Sequence, residues 1–386
     1  MKSEPLVKFP WAFLSVRAAI TCVAGLTVVG TTGCMSQGPK KLPEPREYVQ
    51  FPAPPDSPRV QFLCSLEGEM EGFTPSRGRF LDFLSGRAKK APQVLTKPYG
   101  LDMQDGRLYV ADTIAGRVAA IDFKTKQFRW IGTKGKGMLR KPVSVRAGAD
   151  GRIYVADSGR RQIIAFDREG RYQAEYGDGK SGKLIDSLVF SNELFALDIE
   201  GSCIQVYNLS TGKTKRTIGK SGTEPGEFNR PNGIASDVDG NLYICDAINL
   251  RIQKLDHEGK PLKVVGRAGK GVGELVRPRG LAVARDGILY VADSLVGVVQ
   301  LFNPEGQPLM NFGGQGFGEG QLALPAQVTL NYDSLPFFQE FVAPDFVPEY
   351  LILVANQLGV NKVSVFAFGH AKEKPETPAS APASLQ

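Results

Sequence analysis

The chain has 386 residues, a formal net charge of +7 and 42% hydrophobic residues, which is enough apolar material for a core. Its 44 glycines exceed the average usage of about 7% and suit a turn-dense β protein. The two histidines, His257 and His370, have no partner at a ligand-like spacing, which argues against a His-ligated zinc site or a Ser-His-Asp triad.

Residues 1–33 have the features of an export signal. Two lysines and Arg17 precede an apolar run over residues 18–30, which is shorter than the ~20 residues that a membrane span needs. The next four residues, Thr31-Thr32-Gly33-Cys34, resemble a bacterial lipobox, although Thr31 stands where leucine is usual. The resemblance implies that Cys34 becomes a lipidated N-terminus.

An exported lipoprotein would lie in the cell envelope. Met35 does not resemble the aspartate that retains lipoproteins in the inner membrane, so the outer membrane is the expected location. Ordinary signal cleavage or a signal anchor, with Cys34 incidental, are the alternatives. Residues 34–58 are Pro-rich and predict an extended tether.

Residues 59–66 resemble the last strand of the repeat described below, placed before the first full copy. Since the last copy ends after its third strand, residues 59–66 are predicted to complete it, which closes a ring and removes a free sheet edge. An insertion follows at about 74–96. The apolar pattern within its residues 76–85 predicts a short amphipathic helix.

A repeat of four short strands covers most of the chain, and residues 231–277 show it best. Five copies begin at a proline: Pro98, Pro142, Pro231, Pro278 and Pro325. The second strands of the six copies end in YVAD at 109–112, YVAD at 154–157, FALD at 195–198, YICD at 243–246, YVAD at 290–293 and LVAN at 353–356. Alternating apolar residues between turn signals predict antiparallel meanders, at the roughly 40–50-residue period of propeller blades.

The repeat is similar to the NHL repeat over residues 98–369. The resemblance implies an all-β fold, a six-bladed β-propeller of four-stranded antiparallel blades closed by the N-terminal strand, over residues 59–370. It does not imply one function, because NHL propellers include binding platforms, sensor domains and enzymes. Residues 371–386 are of low complexity and predict a disordered tail.

The last copy carries a second insertion, at about 331–350, that is rich in aromatic residues. If exposed, they predict a docking surface for a partner. Packing over the end of the propeller is the alternative. The candidate partner-binding residues are Phe337, Phe338, Phe341 and Phe346.

An aspartate ends the second strand of five copies, which suggests a ring of carboxylates. Because a residue repeated in nearly every blade usually serves the construction of the blade, a structural role is preferred. An arginine shortly after the aspartate, as in Asp112 with Arg117 or Asp246 with Arg251, can pair with it across the turn.

Basic residues recur in the loops that enter the first strand and in the turns between the second and third strands. In a meander these loops emerge on one face, so we predict a basic face that attracts anionic partners. The candidate partner-binding residues are Arg117, Arg140, Lys141, Arg160, Arg161, Arg230, Arg251, Arg277 and Arg279.

The preferred function is therefore non-enzymatic: a binding or scaffold propeller that presents a basic face to an envelope protein or an anionic polymer. No catalytic residue, metal or cofactor is predicted, and no nucleic-acid partner is expected. One alternative is a metal-dependent propeller hydrolase or lactonase, which requires Asp, Glu or Asn side chains converging at the axis. Another is an accessory partner of an envelope redox complex. A disulfide between Cys203 and Cys245 is left open by the sequence.

Overall fold

The computed structural model describes residues 47–69 and 93–372. The predicted export signal, Cys34 and the helix expected within residues 76–85 lie outside these ranges. In the described part the chain begins with the strands β1 (Gln50–Phe51) and β2 (Val60–Leu66). The strands that follow form four-stranded antiparallel blades, whose strands we call A to D from the axis outwards.

Blade 1 comprises β3 (Pro98–Gln104), β4 (Arg107–Asp112), β5 (Arg117–Asp122) and β6 (Gln127–Ile131). Blade 2 comprises β7 (Pro142–Ala147), β8 (Ile153–Asp157), β9 (Gln162–Phe166) and β10 (Tyr172–Tyr176). Blade 3 comprises β11 (Leu184–Phe190), β12 (Glu193–Asp198), β13 (Cys203–Asn208) and β14 (Thr214–Ile218).

Blade 4 comprises β15 (Gly233–Ser236), β16 (Leu242–Asp246), β17 (Arg251–Leu255) and β18 (Pro261–Val265), followed by the short parallel pair β19 (Arg267–Ala268) and β20 (Glu274–Leu275). Blade 5 comprises β21 (Pro278–Val283), β22 (Leu289–Asp293), β23 (Val298–Phe302) and β24 (Pro308–Gly313). Blade 6 has β25 (Pro325–Asn331), β26 (Phe346–Asn356) and β27 (Val363–Ala371). Two 3-10 helices, Gly135–Gly137 and Leu335–Phe341, lie in loops.

The chain closes its ring where its two ends meet in blade 6. Strand β2 pairs antiparallel with β27, from Val60 opposite Phe368 to Leu66 opposite Val363, and serves as strand D. Strand β1 adds a fifth strand outside it. The pairing is the one predicted for residues 59–66, and it leaves blade 6 with no unpaired inner strand.

The A strands of the six blades contact one another in a closed ring around the axis, in the order β3, β7, β11, β15, β21, β25 and back to β3. The core lies between neighbouring blades: one apolar cluster, for example, joins Tyr109 and Val118 of blade 1 to Val155 and Ile164 of blade 2. No single blade could bury both faces, so the sheets stabilise one another through radial packing. The structure is thus the predicted six-bladed β-propeller.

Two sets of connections emerge on the same side of the ring: the B–C turns, and the D–A loops that lead into the next blade. We call this side the D–A face. The A–B and C–D connections form the opposite face. The candidate basic residues lie in or beside the B–C turns and D–A loops, as the meander topology requires.

Candidate functional site on the D–A face

The aspartates that end the B strands hold the D–A face together from within. Asp157 is completely buried, and its carboxylate accepts the N–H groups of Gly159 and Arg160 in its own turn. It also accepts those of Arg140 and Lys141 in the preceding D–A loop, at 2.6 and 2.9 Å. A carboxylate with this many backbone donors is a structural cap, in agreement with the structural interpretation of the ring.

The expected pairing of these aspartates with nearby arginines occurs in blade 4, where Arg251 Nε donates to Asp246 at 2.9 Å. In blade 1 the expectation is wrong. The guanidinium of Arg117 stacks on Trp130 at 4.2 Å from the ring centre, and backbone N–H groups occupy the Asp112 oxygens instead. The backbone donors are already fixed in place by the turn. A long arginine side chain would lose conformational entropy on binding, so the backbone N–H groups are the favoured partners of Asp112.

In blade 2, too, the arginines after the aspartate have other partners. Arg160 pairs with Glu175 at 2.7 Å, and Arg161 pairs with Glu200 of blade 3. The charge of these two arginines, and that of Arg251, is therefore compensated by carboxylates of the protein itself.

A smaller group of the predicted cations is free for a partner. Arg140, Lys141, Arg230 and Arg277 are exposed, and none of them forms a salt bridge within residues 47–69 and 93–372. They lie in the D–A loops that lead into blades 2, 4 and 5. Exposed, unpaired cations in a ring of loops are the arrangement that attracts an anionic surface.

The ninth predicted cation, Arg279, lies on strand β21 at the mouth of the axial channel. Its Nη1 donates to the hydroxyl of Tyr99 in blade 1 at 2.7 Å, so the pair reaches across the ring from one blade to another. Burial raises the pKa of the Tyr99 hydroxyl, and Arg279 offsets that effect only in part. The Tyr99 hydroxyl is therefore neutral near neutral pH.

The D–A face also has an apolar component that was not predicted. Two residues after the B-strand Asp or Asn, the tip of the B–C turn is Ile114 in blade 1, Ile248 in blade 4, Leu295 in blade 5 and Leu358 in blade 6. These side chains are 66, 58, 50 and 46% exposed. In blades 2 and 3 the same position holds Gly159 and Glu200. The signal was present in the repeat alignment, as DTI, DAI, DSL and NQL against DSG and DIE.

Further exposed apolar side chains join three of these tips into one surface over blades 5, 6 and 1. We call this surface the apolar arc: Ile114, Leu295, Val296, Phe317, Leu358 and Val360. Within the described residues the loops of the opposite face expose Val238 alone among large apolar side chains. Of the two loop faces, the D–A face therefore carries nearly all of the exposed large apolar side chains, and Leu262, Val264 and Leu309 lie on outer strands.

Hydrogen bonds show that the segments of the apolar arc adjoin. The loop that carries Phe317 receives a bond from Asn361 Nδ2 in the blade 6 turn, and its Gly314 donates to Gly297 in the blade 5 turn. On the other side, Lys362 Nζ donates to the carbonyl of Thr96 at 2.9 Å. The amide of Thr96 in turn binds Asp112, which caps the turn of Ile114.

The axial channel is filled by an ionic network around Arg146 of blade 2. Its Nη2 lies 3.0 Å from Asp186 of blade 3 and 3.1 Å from the carbonyl of Ile234 in blade 4. Its Nη1 lies 3.0 Å from the amide oxygen of Gln327 in blade 6, with that amide oriented to accept. The guanidinium therefore links four of the six blades at the axis.

Asp102 of blade 1 completes this network. Its carboxylate accepts the N–H of Ala147 and the hydroxyl of Thr329, both at 2.9 Å. Burial raises the pKa of the Asp102 carboxyl above its ordinary value, and the nearby Arg146 counteracts that shift. A metal-dependent lactonase needs carboxylates free to bind a cation at the axis, whereas Asp186 is paired with Arg146 and Asp102 accepts hydrogen bonds from Ala147 and Thr329. Within the described ranges no group of three or more His, Cys, Asp or Glu side chains is suited to a metal.

The aromatic insertion packs against blades 1 and 6. Phe338 and Phe346 are 1 and 2% exposed, so neither is available to a partner. The ring of Phe338 lies 5.1 Å from that of Phe123, and Phe337 lies 6.0 Å from the same ring. Phe341 is half-buried and packs against the apolar cluster that contains Phe123, Phe338 and Phe346. The insertion thus covers the seam between blades 6 and 1 on the opposite face.

The cysteines of the described region form no disulfide. Cys203 and Cys245 are not joined to each other, and burial raises the pKa of the Cys203 thiol to about 11. Cys203 and Cys245 are buried, so they behave as small apolar residues of the core. No helix in residues 47–69 and 93–372 is long and apolar enough to span a membrane.

Comparison with known proteins supports the repeat and the fold. The family model of the NHL repeat matches residues 228–255. The curated protein brain tumor of Drosophila melanogaster is 27% identical over 134 residues, which cover 32% of this chain and 12% of that protein. The chain therefore spans about an eighth of the length of that relative.

Solved structures show the same architecture at low sequence identity. A Bacteroides thetaiotaomicron protein of unknown function has a TM-score of 0.54 at 15% identity, over 84% of this chain and 76% of that one. A gluconolactonase of Xanthomonas campestris has a TM-score of 0.50 at 16% identity, over 84 and 98% of the two chains. An inactive virginiamycin B lyase of Staphylococcus aureus has a TM-score of 0.50 at 15% identity, over 71 and 95%. At these identities the likeness extends to the fold alone.

Proposed function

We propose that this chain, a six-bladed β-propeller with an NHL repeat, is a non-enzymatic binding protein of a bacterial cell envelope. Its D–A face presents cations to a protein or an anionic polymer. The N-terminal signal and Cys34 would deliver the propeller to the envelope and tether it there, most simply to the outer membrane.

The observation that carries the proposal is the set of free cations. Arg140, Lys141 and Arg230 are exposed and unpaired in the described structure, while Arg160, Arg161 and Arg251 are compensated internally. The backbone N–H groups of Arg140 and Lys141 bind the buried Asp157 and that of Arg230 binds the Ser202 hydroxyl, so the three side chains leave the ring from fixed backbone positions. An anionic partner would meet preorganised charges and would associate in a salt-sensitive way.

The enzymatic alternative has less support because of what occupies the axis. A lactonase-type site would require carboxylates directed at a bound cation. Here Asp186 is committed to Arg146, and Asp102 accepts hydrogen bonds from Ala147 and Thr329. Releasing these groups would leave a buried arginine unpaired, at a cost of several kcal/mol.

A charge-reversal experiment tests the binding role. The full chain is purified from detergent-solubilised membranes beside a variant carrying Arg140→Glu, Lys141→Glu and Arg230→Glu. We expect a component that co-purifies with the native chain to be lost from the variant, and to be released from the native chain by about 0.5 M salt.

A matched control carries the same change of charge on the opposite face: Lys124→Glu, Lys213→Glu and Lys260→Glu, all at exposed positions. The control should retain the component. Retention by both variants, or equal loss from both, would show that the D–A cations do not recruit it.

The envelope location has its own test. Cell fractionation should place the native chain with membranes and should release a Cys34→Ala variant from the lipid-modified fraction. Loss of the lipid label, detected with a radioactive or alkyne fatty acid, distinguishes lipidation from retention by an uncleaved signal. An unlabelled native chain would contradict the lipoprotein assignment.

A further inference from the structure

The position of the apolar arc within the ring suggests a role distinct from that of the free cations. Its six residues lie on blades 5, 6 and 1, with Phe317, Leu358 and Val360 at its centre beside blade 6. Half-exposed side chains of this size together present several hundred Å² of apolar surface, on the scale of the largest patch of a typical monomer (~300–600 Å²). A patch of that size on a loop face indicates an interaction surface.

The first described strands lie in blade 6, beside the centre of the apolar arc. Strand β2 runs toward the D–A face, because Leu66 pairs with Val363, which directly follows the B–C turn of blade 6. Strand β1 is antiparallel to β2, with Phe51 opposite Val60 and the amide of Phe62 bound to the carbonyl of Val49. Followed toward the N-terminus, β1 therefore points at the D–A face, on the outer side of blade 6.

The distance to the candidate anchor is short. The 13 residues from 34 to 46 can span at most about 45 Å, whatever their conformation. A lipid on Cys34 would hold the blade 6 edge near a bilayer, with the apolar arc on the side from which the tether departs.

We propose that the apolar arc contacts the bilayer surface, with its side chains in the interfacial zone of a phospholipid membrane. Blade 6 would then be the membrane-proximal edge of the propeller. The cations Arg140, Lys141 and Arg230, in loops leading into blades 2 and 4, would remain available to the partner.

The chemistry of the arc suits a lipid surface better than a protein. Its side chains lie on the loops of three blades, and a fluid bilayer accommodates such a surface without a matching pocket. Arg277 lies next to Leu295, since its carbonyl accepts from the amide and hydroxyl of Ser294. Arg277 would meet lipid phosphates, while Glu319, beside Phe317, opposes them, so the preference for anionic lipid should be modest.

A depth measurement tests the contact directly. The full lipidated chain, with Leu358→Cys labelled by bimane, is reconstituted into vesicles of phosphatidylcholine and phosphatidylglycerol that contain headgroup-nitroxide lipid. A second chain with Val238→Cys places the same probe on the opposite face. The native chain reports the background from Cys64, Cys203 and Cys245, of which the last two are buried.

Quenching at position 358 and not at 238 is the expected result. Equal quenching at both positions, or none at 358, would overturn the proposal. The latter includes the case in which a protein, or the chain between Glu69 and Gln93, covers the arc in place of lipid.

A second measurement separates the arc from the lipid anchor. A chain that begins at residue 35, and so keeps both strands that complete blade 6 but lacks the signal and the lipid, is mixed with the same vesicles. Adding Phe317→Asp and Val360→Asp should weaken vesicle partitioning at least about tenfold, the effect expected when two apolar contacts are replaced by charges repelled from an anionic surface. Adding Val238→Asp should leave partitioning unchanged, as should Arg140→Glu with Lys141→Glu to within about threefold.

The inference rests on the proposed envelope location but not on the identity of the partner. If the variants with aspartate in the apolar arc partition like the native chain, membrane contact by the arc is refuted. The binding role is still supported in that case if the triple charge-reversal variant at Arg140, Lys141 and Arg230 loses the co-purifying component. If the arc variants lose partitioning and the Arg140 variant keeps its component, the opposite conclusion follows. Melting temperatures within a few degrees of the native value are required of every variant.

Discussion

Blades 5, 6 and 1 and blades 2 and 3 form two regions of one face that differ in the residues at the tips of their turns and in the surroundings of those tips. Both regions cap the B–C turn with the buried Asp or Asn that ends the B strand, as Asp112 does in blade 1 and Asp157 in blade 2. The tip then carries Ile114 in the first region and Gly159 in the second. The repeat thus constrains the backbone of the turn and leaves its tip free to vary.

The difference shows how a repeat protein can divide one surface between two tasks. In blades 1, 2 and 3 the B-strand aspartate accepts the N–H groups at the same two positions of its turn, so a substitution at the tip can change the surface chemistry while the cap is kept. In blades 2 and 3 the surroundings are charged, with Arg161 paired to Glu200. In blades 5, 6 and 1 they are apolar.

The largest expected change in the free energy of unfolding is at the axis, where the innermost strands of all the blades come together. Arg146→Met removes the cation that serves Asp186 and neighbours Asp102, and should destabilise the protein by about 3–5 kcal/mol, the usual consequence of leaving a buried partner unpaired. Urea unfolding measures the change. Arg152→Met, in the same blade but with a side chain 41% exposed, is the matched control and should cost less than about 1 kcal/mol.

The pH dependence of the Arg146→Met effect follows from the carboxyls. Burial raises the pKa of Asp102 in the native protein, so its stabilising contribution is present below its unfolded-state pKa and is lost as pH rises through the folded value. Without Arg146 this loss should grow. The destabilisation should therefore be larger at about pH 7 than at about pH 4. A destabilisation that does not vary with pH would mean that the network acts through packing alone.

The next largest change in stability is expected at the buried aspartate that caps a B–C turn, in contrast to the exposed residue at the tip of the same turn. Asp112→Ala leaves several buried backbone N–H groups without an acceptor and should cost about 2–3 kcal/mol. Asp157→Ala should cost a similar amount, because its carboxylate also has four backbone donors. Ile114→Ser, at an exposed tip, should change the free energy of unfolding by less than about 0.5 kcal/mol. A tip substitution as costly as the cap would contradict the division between construction and surface.

The smallest effect is in the charged region, at the loop that leads into blade 3. The N–H groups of Lys180 and Ser181, together with the Ser181 hydroxyl, lower the pKa of Asp178 to about 2. The resulting contribution to stability is present above the unfolded-state pKa and is lost as pH falls through about 2. NMR titration should show the low pKa, and Ser181→Ala should raise it. An ordinary pKa in the native protein would show that this carboxylate is free for other contacts.

Local pattern determined the fold of this chain. The alternation of apolar residues and the recurrence of the B-strand aspartate predicted six blades, and the unfinished last copy predicted that residues 59–66 would complete it. These predictions succeeded because strand period and turn chemistry depend on near neighbours in sequence. The same alignment contains the apolar tips, but whether such a residue is exposed depends on the conformation of its turn.

Only the tertiary structure decided which charged side chains are free to bind a partner and which are paired within the protein. Arg161 finds Glu200 in the next blade, and Arg146 reaches carboxylate, carbonyl and amide oxygens in three other blades. Phe338, a candidate docking residue by composition, is instead buried beside Phe123. Each outcome depends on how closely two blades approach, and that distance is set by the packing of the whole ring, not by any segment of the sequence.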